Sequence, residues 1–151
     1  MEIREYSSLG EAEQRRAREA IRKGDWRAAA FLHELLEKDE LRTHCGPNTR
    51  LLLGMEGERL AAFCTLAERD EVETDLMPWI GFVYTFPEFR GHRFSGLLID
   101  RACALARSAG HAQVYVSTNE IGLYEKYGFE FLETTSDVWG GSTQLYRRRL
   151  S

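Results

Sequence analysis

A chain of 151 residues with 43% apolar side chains, spread along its whole length, can bury one hydrophobic core, and a single domain over residues 1–151 is expected. Twenty basic against 24 acidic residues leave a formal charge of -4, which argues against the extended basic face of broad nucleic-acid binding. No run reaches the roughly eighteen apolar residues of a membrane span, and the opening "MEIREYSSLG" lacks the apolar region of a signal peptide, so the expectation is a cytoplasmic protein with no membrane partner.

In chain order, residues 2–6 predict a short strand. "SLGE" from Ser8 to Glu11 has capping-box spacing and opens a charged helix to about Lys23, ended by Gly24. Asp25 is placed to cap a second helix, in which Ala28, Phe31, Leu32, Leu35 and Leu36 recur on one face. "THCGPN" predicts a turn, and "TRLLLGM" and "RLAAFCTLAE" predict two strands joined as a hairpin at "EGE". A polar connection follows, in which "ERDEVETD" holds the carboxylates Glu68, Asp70, Glu71, Glu73 and Asp75.

The nearly continuous apolar run "WIGFVYTF", Trp79 to Phe86, predicts a strand covered on both faces, and Pro87 stops its ladder. Leu97, Leu98, Ala102, Leu105, Ala106 and Ala109 trace a helical stripe closed by Gly110. "AQVYVST" predicts a strand, "EIGLYEKY" a short helix closed by Gly128, and "FEFLET" and "TQLYRRRL" the last two strands. The order describes a mixed α/β domain. Cys45, Cys64 and Cys103 are odd in number and far apart, which suits reduced, structural thiols, and no group of residues has metal-ligand spacing. Trp79, Phe82 and Trp139 are expected as core or pocket-wall aromatics.

The junction "PEFRGHRFSG", Pro87 to Gly96, joins the apolar strand to the third long helix. A helix N-terminus presents unpaired N–H groups and about half a positive charge, so it is a ready anion site. Gly91 and Gly96 let backbone approach a phosphate, Arg90 and Arg93 offer charge-assisted bonds, Ser95 adds a hydroxyl and His92 a backbone N–H. From charge alone, a solvated basic turn accounts for the same residues.

With its Pro-Glu-aromatic lead, this junction resembles the GNAT superfamily of acyltransferases, whose strand-to-helix loop reads R/Q-x-x-G-x-G/A. "LYEKYGF", Leu123 to Phe129, is similar to that superfamily's second signature. Counted from Arg90, the chain departs from the loop pattern in having Arg93 for Gly at the fourth position and Ser95 for Gly or Ala at the sixth. Arg93 is therefore expected to avoid the positive φ that glycine tolerates and to supplement the amides with its charge. Ser117 stands where the family usually has Asn, and Asn119 lies two residues later.

The resemblance implies a mostly antiparallel central sheet of six to seven strands with about four helices. It implies an acyl-CoA co-substrate, acetyl-CoA by default, lying where the strand from Trp79 diverges from the strand ending near Ser117. Val83, Tyr84 and Thr85 would hold the pantetheine arm through backbone groups. Arg90, Gly91, His92, Arg93, Phe94, Ser95 and Gly96 would hold the phosphates, with Asn119 as a further contact. Tyr124 is implied as the general acid, while Tyr127 and Tyr115 are packing residues.

The implied acceptor is an amine, on a small molecule or a peptide, and a homodimer is an expectation from the resemblance. The central strand has no carboxylate, so the base is sought in the polar connection, with Asp70 chosen; a solvated acidic loop is the other reading of that run. The function expected is an acyl-CoA-dependent N-acyltransferase working by direct attack, and the alternative is a non-catalytic acyl-CoA-binding regulatory module.

Overall fold

The computed structural model describes residues 1–150. Among these, seven strands form one sheet: β1 (Glu2–Glu5), β2 (Arg50–Glu56), β3 (Arg59–Ala67), β4 (Trp79–Thr85), β5 (Gln113–Thr118), β6 (Glu130–Ser136) and β7 (Ser142–Arg149). Their spatial order is β1-β2-β3-β4-β5-β7-β6, and every neighbouring pair is antiparallel except β4 with β5. Four α-helices accompany it: α1 (Glu11–Arg22), α2 (Arg27–Glu37), the short α3 (Leu41–Cys45) and α4 (Phe94–Ser108). The mixed fold and the strand count are those expected.

Local chemistry accounts for most elements. The β2–β3 hairpin closes by pairing Glu56 with Arg59, and Gly57 takes φ +61° in the turn. Gly110 and Gly128 take φ +95° and +85° after their helices, where an L side chain would be strained. Period two puts Leu52, Ala62 and Cys64 against α4 on one face, with Leu98, Ile99 and Ala102, while Leu51, Leu53 and Phe63 meet Ile21 of α1 and Leu32 of α2 on the other. Both faces of the central strands are therefore covered. The three cysteines are free and buried, and burial pushes the Cys64 thiol up to about 12.

Two caps differ from expectation. Ser8 lies in a 3₁₀ turn and donates to Glu5 O at 2.7 Å, so α1 begins after Gly10, whose N–H reaches Glu13 Oε1 at 3.5 Å. Asp25 does not cap α2, because its carboxylate accepts from the Tyr84 hydroxyl and Trp26 takes the N-cap position. A tertiary partner on β4 outcompetes the local N–H groups. In place of a simple turn at "THCGPN", the α3 helix runs to Cys45 before Gly46 at φ +118°.

Candidate active site

The site begins with an irregularity inside β4. Tyr84 pairs with Phe63 and Gly81 with Thr65, so Phe82 and Val83 together stand opposite Cys64. This is a β-bulge, and Phe82 occupies it with φ +50°, a left-handed conformation that costs a non-glycine residue roughly 1–2 kcal/mol. The extra residue reverses the facing of the strand: Ile80 packs on the α4 side, but Tyr84, four positions later, packs on the α1–α2 side. Beyond the bulge the sheet opens, since β4 and β5 pair only at Trp79 with Tyr115.

A cleft of about 690 Å³ occupies the opening, with Val83, Tyr84 and Thr85 on one wall and Val116 and Ser117 on the other. Arg90, Gly91, Arg93, Phe94 and Ser95 close its end at the head of α4. Arg93 is the N-cap of α4 and adopts φ +62°, ψ +26°. This overturns the expectation that it avoids such geometry: the turn imposes on Arg93 the backbone that glycine would take. Gly91 is also left-handed, at φ +89°. Ser95 Oγ lies 2.6 Å from Thr85 Oγ1, tying helix to strand, and Arg90 Nε donates to Thr85 O at 3.0 Å.

Two residues of this loop sit apart from the cleft walls. The exposed His92 ring stacks on Phe94 with centroids 5.5 Å apart. Gly96 is a packing glycine, since a Cβ there would come within 2.9 Å of the Tyr127 ring. Gly96→Ala is therefore expected to destabilise the fold by about 1–3 kcal/mol through overpacking, read as a lower denaturation midpoint with an unchanged m-value. Asn119 does not line the cleft but a second cavity beside it.

Asp70, in the connection after β3, is half-buried, and its Oδ1 lies 3.0 Å from where a Gly81 Cβ would be. Gly81 thus gives the carboxylate its seat one residue before the bulge. Burial raises the Asp70 pKa to about 7; the Glu71 backbone N–H pulls it down, the Glu71 charge pushes it up and His44 lowers it. The solvated-loop reading of the acidic run holds for Glu73 and Asp75, which are exposed.

Tyr124 enters the cleft from the other side, in a 3₁₀ turn (Tyr124–Tyr127) between β5 and β6. Its ring packs on Phe129 at 5.7 Å and on Tyr127 at 6.2 Å. Burial raises its pKa, and Cys64, Tyr127, Glu120 and Asp70 act in the same direction, so the phenol holds its proton at neutral pH. Tyr127 packs as expected but also lines the cleft, while Tyr115 is buried against Trp79.

Sequence reasoning missed the bulge, for which an isolated glycine inside an apolar strand was the available signal. It also missed the wall formed by Asp25 and Trp26: the Trp26 ring lies flat on Tyr84 at 5.6 Å, and Arg90 sits over the other aromatic partner of that stack, 5.6 Å from the Tyr84 centroid.

A sheet split at its centre, with a cleft running from the opening to the head of α4, defines the class of α/β domain to which the chain belongs. The model of the acetyltransferase (GNAT) family matches residues 15–129, and the chain belongs to that family. No curated protein matches it by sequence. Among solved structures, the aminoglycoside 6'-N-acetyltransferase from Enterococcus faecium superposes with TM-score 0.73 at 11% identity, over 100% of this chain and 98% of that one. An aminoglycoside 6'-N-acetyltransferase complexed with coenzyme A gives 0.70 at 12%, over 100% and 98%. A GNAT family acetyltransferase from Elizabethkingia anophelis with acetyl-CoA bound gives 0.60 at 15%, over 74% and 82%. At such identities the likeness is one of fold.

Proposed function

We propose that the protein is an acyl-CoA-dependent N-acyltransferase, with acetyl-CoA as donor and a primary amine as acceptor attacking directly. The observation that carries this reading is the meeting of Asp70 and Tyr124, remote in sequence, in one opening beside the β4 bulge. A base poised near neutrality and a protonated phenol are the two proton-handling groups the reaction requires.

The residues fit the donor. The head of α4 offers the N–H groups of Phe94 and Ser95, with the Arg90 and Arg93 guanidinium groups, for a pyrophosphate. The edge of β4 that faces β5, from Val83 to Thr85, has no ladder with β5 and offers backbone groups to an amide-rich arm. Acetyl-CoA supplies an activated thioester carbonyl.

Around it the chain handles protons and charge. An alkylammonium of pKa about 10.4 must lose a proton, at a cost of roughly 4–5 kcal/mol at neutral pH unless a base helps, and Asp70 takes it. Backbone N–H groups at the Phe82–Val83 bulge, freed from the regular ladder, face the oxygen on which negative charge develops. Tyr124 Oη–H then donates to the departing sulfur.

Calorimetric titration with acetyl-CoA tests the reading, and binding by the folded wild type is expected. Arg93→Gly removes a cation while relieving left-handed strain, so its Tm should hold or rise while acetyl-CoA affinity falls severalfold. Absence of binding by folded wild-type protein would sink the proposal. Thiol release over an amine panel separates enzyme from regulatory module, since binding without turnover favours the module.

A further inference from the structure

A second cavity, of about 1030 Å³, lies on the α2 side of the sheet and shares Asp70, Phe82 and Trp26 with the cofactor cleft. Its far wall is Trp139 in the β6–β7 turn, which is 73% exposed, and burial elsewhere in the core does not explain an indole so placed. The turn is held firmly. Asp137 Oδ1 accepts from Trp139 N and Gly141 N at 2.9 Å each, and Val138 N donates to Glu71 O at 2.7 Å, which ties the turn to the connection that carries Asp70.

Several polar groups around this cavity are already paired. His44 Nε2 lies 2.9 Å from Glu71 Oε1, the Arg69 guanidinium donates to Thr43 O and His44 O, and Asp137 Oδ1 serves the turn. Ring surface comes from Trp139, Trp26, Phe31 and Phe82, with Asp70 at the end nearest the thioester and Asn119 and Glu120 on the remaining wall. Four aromatic side chains around one cavity supply the apolar and π faces that a ring needs and that a polyamine or amino sugar leaves unused.

Resting on the transfer reading above, we propose that this cavity takes a primary amine borne on a flat, ring-bearing apolar body, and that Trp139 is the side chain that selects it. The amine points past Phe82 to Asp70, and the ring lies among the aromatic walls. No further group is transferred or oxidised, because the cavity binds and orients.

The test is thiol release from acetyl-CoA with tryptamine and phenethylamine against putrescine and glucosamine, in wild type, Trp139→Ala and Trp139→Phe, with acetyl-CoA affinity measured calorimetrically in each. The expected result is kcat/KM at least about tenfold higher for the two ring-bearing amines. Trp139→Ala should raise their KM about tenfold and change kcat far less, Trp139→Phe should recover most of the loss, and putrescine should respond little to either. Equal or better turnover of putrescine or glucosamine overturns the inference, as does an unchanged KM in a folded Trp139→Ala. Acetyl-CoA binding without turnover of any amine, or no acetyl-CoA binding by the wild type, overturns the transfer reading itself, whereas turnover with the wrong amine preference overturns this inference alone, so the two failures are distinguishable.

Discussion

Asp70→Asn is expected to lower kcat/KM by about 10²- to 10⁴-fold at pH 7.5, the range for loss of a positioned base. The amide keeps the shape and cannot take the amine's proton. In the wild type, activity should fall as pH drops below about 7, where Asp70 becomes protonated, and that limb should vanish in the variant, leaving only the ionisation of the amine. Stability should move oppositely. The folded-state pKa is raised above the ordinary value of 3.8, so between there and about 7 the folded protein holds a proton that the unfolded chain has released. The contribution of this group is thus fully present at low pH and lost as pH rises through about 7. Asn, neutral throughout, should raise Tm at pH 8 and leave it little changed near pH 3.5. A variant more stable at pH 8 and catalytically crippled would show that this carboxylate is retained for chemistry.

Tyr124→Phe is the second large effect. A loss of about 10²-fold in kcat is expected, at the low end for general acid catalysis because thiolates leave readily. Among the described residues the Tyr124 hydroxyl has no hydrogen-bond partner, and the ring packing on Phe129 and Tyr127 survives the change. Unfolding free energy and acetyl-CoA affinity should therefore stay within about 0.5 kcal/mol of wild type. Unchanged kcat in a folded variant would remove Tyr124 from the mechanism and point to direct loss of thiolate.

The two variants probe positions of unequal visibility. Tyr124 stands in a local signature, "LYEKYGF", that can be recognised without any tertiary information. Asp70 was one of five carboxylates in a polar run, singled out only by its place near the end of the preceding strand. Its seat depends on Gly81, on the strand paired beside the one it follows, and its raised pKa depends on what encloses it.

The sequence by itself determined the order of the strands and of the three long helices, the closing glycines, the apolar central strand from Trp79 and the glycine- and cation-rich junction at the head of α4. Each of these rests on contiguous residues: a period of two or 3.6, a glycine where φ must be positive, or a cluster of N–H donors and cations. Only the tertiary structure decided the bulge at Phe82, the left-handed backbone of Arg93, the diversion of Asp25 from capping α2 to the Tyr84 hydroxyl, and the approach of Asp70 to Tyr124 across the opening. These outcomes are competitions between a local preference and a partner distant along the chain, and the winner is settled by packing between strands and helices that no short stretch of sequence contains.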